Sequence, residues 1–204
     1  MTIAGLVLAG GASRRMGSEK AFVPLAGAPM LAHVIRRFAP QVGPLAINAN
    51  GDPARFADFS LPVVGDDKPD TGPLGGVLAG LRWAAGLDGV RHLATVPVDS
   101  PFLPGDVVNR LAAVSRASDG TVAIAASGER DHPVVALWPI ELVDRLDDWR
   151  RTAKSHGVRG FLAATGFTVV AYPLPQGGPD PFFNVNTTED LSAASQWLAS
   201  NSSL

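Results

Sequence analysis

A layered α/β domain built on a mostly parallel sheet is the fold class this sequence predicts, and three observations predict it. Ile3 to Leu8 is a continuous apolar run that ends at glycines, the pattern of a strand buried on both faces. Short runs of this kind then alternate along the chain with apolar stripes at helical spacing, the rhythm of βαβ units. No linker, internal repeat or low-complexity tract interrupts them, and 204 residues with 46% hydrophobic content suffice for one substantial core. One domain over residues 1–204 is therefore expected.

The elements follow in order. After the first strand comes the loop LAGGASRRMGSEK, Leu8 to Lys20, and then PMLAHVIRRF, where Leu31, Val34, Ile35 and Phe38 recur at helical spacing behind Pro29, a residue suited to a first helical turn. Leu45 to Asn48 predicts a second strand and Pro62 to Gly65 a short third one that runs into Asp66 and Asp67. Gly72 and Pro73 open a helix whose stripe is Leu74, Val77, Leu78, Leu81 and Ala85. HLATVPVD predicts a strand ending at Asp99, followed by a helix that turns Val107, Val108, Leu111 and Val114 inward. Beyond Thr121 the order loosens. TVAIAA and PVVALW predict two mutually antiparallel strands, Ile140 to Trp149 a helix, and FTVVAYP a strand. Thr187 with Asp190 resembles a capping box before a final helix through Leu198.

Composition removes several function classes. A net charge of -2 provides no basic field of the kind that gathers nucleic acid, so any anion site must be local. The absence of cysteine removes disulfides, thiolate metal sites and cysteine nucleophiles. The apolar N-terminus is too short to span a bilayer and has no leading positive charge, and Pro, Gly or charged residues break every later hydrophobic stretch. A soluble, cytoplasmic protein is expected.

In open α/β sheets ligands collect beyond the carboxyl ends of the strands. The informative residues fall at such ends: the Gly/Arg loop after the first strand, Asn48 after the second, Asp66 after the third and Asp99 after the next. A glycine-rich turn directs backbone N–H groups at phosphate oxygens, and Arg14, Arg15 and Lys20 add charge-assisted hydrogen bonds. The loop is neither a P-loop nor a GxGxxG fingerprint, so a phosphate site here is of a third kind. Asp99, in VPVDSPFLP, is a single carboxylate of the sort that holds Mg²⁺ when phosphate oxygens and water complete the shell. Each residue also has a plainer role. Asp66, Asp67 and Asp99 suit turns and caps, and Asn48 and Asn50 suit a strand end. His33, beside two arginines on a helix, is expected in solvent; Trp83, Trp138, Trp149 and Trp197 are expected in or beside the core.

LAGGASRRMGSEKAFVPLAGAPMLAHV, INAN, GPLGGVLAGL, VPVDSPFLP, GERDHP and NVNTTEDL, in that order, resemble the molybdenum cofactor guanylyltransferases, and the likeness spans nearly the whole chain. The resemblance implies a Rossmann-like nucleotidyltransferase fold, three-layer α/β/α with a mostly parallel sheet. It implies transfer of GMP from GTP to molybdopterin, giving molybdopterin guanine dinucleotide and pyrophosphate, with Mg²⁺ required. By motif match the GTP positions are Leu8, Ala9, Gly10, Lys20, Asn48, Asp66 and Asp99, with Asp99 also the metal ligand. Gly11, Arg14 and Arg15 join them on the loop. Residues from about 1 to 118 then form the GTP and Mg²⁺ site, and those from about 119 to 199 contribute the acceptor site, where GPLGG with Gly75, GERDHP with Arg130 and His132, and Asn184 with Asn186 are the candidates.

LAGG, against the LAAG common in cytidine-using relatives, favours guanine. Three departures from the family pattern keep its chemistry: Glu19-Lys20 for Asp-Lys, VPVD for VPCD, and Gly75-Gly76 where Leu-Ala-Gly is frequent. With no coiled coil or large apolar face to demand a partner, a monomer is expected, and the likeness to the family suggests transient contacts with insertion and delivery proteins. A cytidylyl- or sugar-phosphate nucleotidyltransferase would share the loop and Asp99 but differ in base or acceptor. A non-catalytic nucleotide- or cofactor-binding protein would have no need of Lys20 and Asp99 together.

Overall fold

The computed structural model describes residues 2–10, 19–68, 72–117, 121–153 and 157–200. Nine strands occur among them: β1 (Thr2–Leu8), β2 (Pro24–Leu25), β3 (Ala28–Pro29), β4 (Leu45–Asn48), β5 (Val63–Val64), β6 (Val90–Pro97), β7 (Val122–Ser127), β8 (Arg130–Pro139) and β9 (Phe167–Tyr172). The helices are α1 (Met30–Phe38), α2 (Pro73–Ala85), α3 (Val107–Ala117), α4 (Val143–Thr152), α5 (Val158–Thr165) and α6 (Thr188–Ser200). Seven strands form one sheet in the order β5-β4-β1-β6-β8-β7-β9. Only β8 runs against the rest, pairing antiparallel with both β6 and β7.

The period of two along β1 explains the layers. Ala4, Leu6 and Leu8 pack with α2, α4 and α5 on one face, through Leu74, Leu78, Leu146 and Phe161. Val7 and Ala9 point the other way, towards Leu31, Val34 and Phe38 of α1 and Val107 and Leu111 of α3. A sheet covered on both faces is why the strands read as continuous apolar runs. A third cluster joins the hairpin β2-β3 to α6, with Leu25, Met30, Phe102, Val185 and Ala194 buried and Trp197 edge-on to Phe183 at 5.2 Å.

Parallel register sets the ends of the strands side by side. Leu8 aligns with Asn48 of β4 and with Pro97 of β6, and Asn48 aligns in turn with Val64 of β5. The chain therefore leaves four adjacent strands at one edge of the sheet. Helix α2 crosses close beneath: a Cβ on Gly80 would lie 2.4 Å from Leu6 Cδ2, and one on Gly76 2.1 Å from Asn48 Oδ1. Only glycine permits that approach.

Several details differ from the sequence expectation. The helix expected from Ile140 begins as a single 3-10 turn, Ile140–Leu142, before α4. Helix α5 and the two-residue strands β2 and β3 were not anticipated, although Val158, Phe161, Leu162 and Thr165 carry helical spacing. His33 is buried, 6% exposed, rather than solvated, because its Nε2 meets the carbonyl of Leu25 at 2.7 Å where α1 packs under the β2-β3 hairpin. Burial lowers its pKa below the ordinary histidine value. Trp138 is fully buried with its indole N–H donating to Thr95 Oγ1 at 2.8 Å, as a core tryptophan requires.

Candidate active site

Lys20 opens a 3-10 turn, Lys20–Phe22, immediately after the glycine-rich loop. That turn aims its side chain across the edge of the sheet, where Nζ donates to Asp99 Oδ2 at 2.8 Å and to Asn186 Oδ1 at 2.5 Å. The other oxygen of Asp99 accepts from Asn184 Nδ2 at 2.8 Å, and the same amide lies 3.0 Å from Ser100 Oγ. Val185 N–H donates to the carbonyl of Asp99 at 2.9 Å, which ties the segment carrying both asparagines to the end of β6. Lysine and aspartate side chains are 20% and 18% exposed, so the pair is reachable from solvent yet screened far less than a surface ion pair.

The capping box expected from the sequence fixes the far side of this cluster. Asp190 Oδ2 accepts from the backbone N–H groups of Asn186 and Thr187, both at 2.9 Å, while Thr187 Oγ1 accepts from Asp190 N at 3.1 Å. Those hydrogen bonds, the one from Asn186 first, hold the Asp190 carboxyl below its usual range. Helix α6 therefore starts at a defined place and presents Asn186 to Lys20.

A second group gathers at the ends of β4 and β5. Asn48, 3% exposed, donates from Nδ2 to Val64 O at 3.0 Å and to Asp66 Oδ1 at 2.8 Å. Ala9 N–H donates to Asn48 O at 2.9 Å, so the exit of β1 is fastened to the same strand end. Between the two groups lies a cleft of about 370 Å³, lined by Leu8, Ala9, Gly10, Lys20, Asn48, Asp66, Gly72, Pro73, Pro97, Val98, Asp99, Val134, Asn184 and Asn186. Val134 arrives by an irregularity: the β7-β8 register jumps after Ile124, where Pro133 has no N–H to give the ladder.

The structure thus brings together Leu8, Ala9, Gly10, Lys20, Asn48, Asp66, Asp99, Asn184 and Asn186. Gly11, Arg14 and Arg15 lie outside the described residues. Three other candidates stand apart from the cleft. Gly75 is in the first turn of α2 with its N–H spent on Gly72 O at 3.0 Å, and it is Gly72 and Pro73 that form the wall. Arg130 is exposed at the start of β8, paired in the ladder with Ser127. His132 is buried, with Nε2 at 2.8 Å from Ser127 Oγ and its ring 4.8 Å from that of Phe182. Burial is the main cause that lowers its pKa. Since Ser127 Oγ also donates to Asp180 at 2.8 Å, His132 supports the segment that leads to Asn184 instead of facing the cleft.

Pro97, Val98 and Val134 are lining residues that spacing did not single out; the first two flank Asp99 in VPVDSP, which was the available signal. Among the described residues no three His, Cys, Asp or Glu side chains cluster as a metal cage. Asp99, the cleft carboxylate beside Lys20, fits a hard cation that takes its other ligands from phosphate and water.

Comparison with known proteins agrees with this geometry. The family model described as a MobA-like NTP transferase domain matches residues 5–169. A molybdenum cofactor guanylyltransferase of Bradyrhizobium sp. is 47% identical over 201 residues, covering 97% of this chain and 93% of its own. One of Mesorhizobium japonicum is 44% identical over 204 residues, covering 98% of each. In fold, the chain is similar to the molybdopterin-guanine dinucleotide biosynthesis protein A of Archaeoglobus fulgidus, with TM-score 0.74 and 22% identity over 98% of this chain and 100% of that one. The 4-diphosphocytidyl-2C-methyl-D-erythritol synthase of Anaerococcus prevotii superposes with TM-score 0.74 at 12% identity over 97% and 96% of the two chains, so the architecture is shared across acceptors and bases. With its full-length identity to the guanylyltransferases and its strand-end cleft, this chain belongs to the MobA-like NTP transferases, as a nucleotidyltransferase of the molybdenum cofactor guanylyltransferase family.

Proposed function

We propose that the chain transfers GMP from GTP to molybdopterin, forming molybdopterin guanine dinucleotide and pyrophosphate in molybdenum cofactor biosynthesis. The observation that carries this reading is the Lys20–Asp99 pair, held at 2.8 Å by two asparagines in a cleft at the strand ends. A phosphate oxygen of molybdopterin forms the new bond to the α-phosphorus of GTP, the bond from that phosphorus to the bridging oxygen breaks, and pyrophosphate leaves with the electron pair. Such transfer asks the protein to position groups and offset charge, and no covalent nucleophile is needed.

Each residue then has a task. Leu8, Ala9 and Gly10 offer backbone along the nucleotide, and Gly11, Arg14 and Arg15, which lie outside the described residues, are assigned to the triphosphate. Lys20 carries positive charge to the departing phosphates. Asn48 and Asp66 form the base end, and Asn184 and Asn186 orient Asp99 and Lys20 on the acceptor side. Asp99 is the residue that would hold Mg²⁺, which supplies charge neutralisation at phosphate oxygens when bound. Gly75 and His132 act behind the wall, as supports, and Arg130 stands exposed at the start of β8.

In this reading residues 1–204 work as one domain, with the part before about 118 handling GTP and the part after about 119 contributing the acceptor side. The protein is a cytoplasmic monomer that meets insertion and delivery proteins transiently. Among the described residues no helix is long and apolar enough to cross a membrane. The test is a purified-component assay offering each nucleoside triphosphate with molybdopterin and Mg²⁺. GTP should be consumed with pyrophosphate release and a guanine dinucleotide product; equal use of CTP would refute the assignment.

A further inference from the structure

Asp66 is held from two sides, and the second of them is Asn50. The Asn50 side chain engages Asp66 twice: Oδ1 accepts the backbone N–H at 2.8 Å and Nδ2 donates to Oδ2 at 3.2 Å. Asn48 holds the other carboxylate oxygen at 2.8 Å. One acceptor direction on each oxygen is thereby used, and a carboxylate has about two per oxygen. Two acceptors remain, side by side, on a residue that lines the cleft. Their complement is a pair of adjacent donors. Guanine has one, N1–H beside its exocyclic amine, whereas adenine and cytosine offer a donor beside an acceptor.

Asn50 is itself braced. Its carbonyl accepts from Arg55 Nη2 at 2.6 Å, Arg55 Nε donates to Asp52 O at 3.0 Å, and Nη1 pairs with Glu19, the neighbour of Lys20. Phe56 packs beneath the guanidinium, 5.3 Å from ring centroid to Cζ. Gly51, between the strand end and the arginine, has φ of +89°, and a Cβ there would come 3.4 Å from Nη2. Glu19, beside Lys20 in sequence, thereby ties the brace to the start of the Lys20 turn.

We propose that Asn50, braced by Arg55, is a positioning residue that sets selectivity for guanine by fixing the rotation of the Asp66 carboxylate. A carboxyl torsion of this sp³–sp² type is otherwise broad, and Asn48 restrains only one oxygen. The proposal rests on the reading that the base of GTP lies at Asp66.

Its test compares GTP with ITP, which lacks the exocyclic amine, as donors to molybdopterin for the full chain and for Asn50→Ala, Asn50→Asp and Arg55→Gln. The unaltered protein should prefer GTP by about tenfold or more in kcat/KM, since a site that hydrogen-bonds a donor rejects the analogue without it. Asn50→Ala and Asn50→Asp should bring that ratio to within about threefold through a loss with GTP alone. Arg55→Gln, which leaves the amide in place, should give an intermediate ratio and keeps the test open if the Asn50 variants fold poorly. Equal losses with both nucleotides, an unchanged ratio in all three variants, or no preference in the unaltered protein would each overturn the proposal. Preference of the unaltered protein for CTP over GTP would instead strike the proposed function, and this inference with it.

Discussion

Lys20 and Asp99 come from parts of the chain 79 residues apart, yet each was legible from its neighbours. Glycines before a lysine and prolines around an aspartate mark backbone shaped to present a charge at a strand end. Side-chain hydrogen bonds were not legible: nothing in GERDHP announces that His132 meets Ser127, and that Ser127 meets Asp180 53 residues later. His33 was misplaced because its partner is a backbone carbonyl, that of Leu25, in a hairpin that spacing did not reveal. Lys20→Ala removes the charge proposed to meet the departing phosphates and should lower kcat/KM for GTP by about a hundredfold or more, measured by steady-state pyrophosphate release. Asn184→Ala frees one oxygen of Asp99 and should raise the Mg²⁺ concentration needed for half-maximal rate, read from a metal titration of the same assay.

Helices α1, α2 and α3 were foreseen from apolar stripes at helical spacing, α6 from its capping box, and the four parallel strands at the site from short apolar runs. Helix α5 was passed over although its spacing is helical, since it is only eight residues long and Gly160 lowers its helix propensity. Within α2, two of the three buried glycines do different work. Gly80 faces Leu6 and Leu93, whereas Gly76 faces Asn48 and Leu8 at the cleft. Alanine at either position overfills the contact with the sheet, and the usual cost of about 1–3 kcal/mol exceeds the gain in helix propensity. Both variants should melt lower, by about 2–4 °C for each kcal/mol lost. Only Gly76→Ala should also weaken GTP binding in calorimetry, because the added methyl displaces Asn48 and, through it, Asp66. Equal GTP affinity in the two variants would remove α2 from the account of the base end.

At the scale of the whole molecule, strand order was the part the pattern of residues could not supply, for pairing between distant strands leaves no local mark. The observed order puts β1 between β4 and β6 and so makes one edge out of four strand ends. Stability carries a second molecule-wide signature. His33, His92 and His132 all have pKa values lowered chiefly by burial. In the unfolded chain these rings take up protons as the pH falls through about 6.5, while the folded protein resists doing so. The unfolded state then binds more protons, so stability is full above that value and declines as the pH drops below it. Thermal melts should be level from pH 8 to 7 and fall by at least about 3 °C by pH 5.5. No fall over that interval would show that the three rings are not held neutral.

In the proposed reaction the Asp99 carboxylate, just past the end of β6, works with the nucleotide phosphates. The most direct test of that role is Asp99→Asn, with GTP binding measured by calorimetry and pyrophosphate release from GTP and molybdopterin measured at saturating Mg²⁺. The variant is predicted to bind GTP within about tenfold of the unaltered protein and to release pyrophosphate at about a hundredth of its rate or less. Full turnover by Asp99→Asn would contradict it.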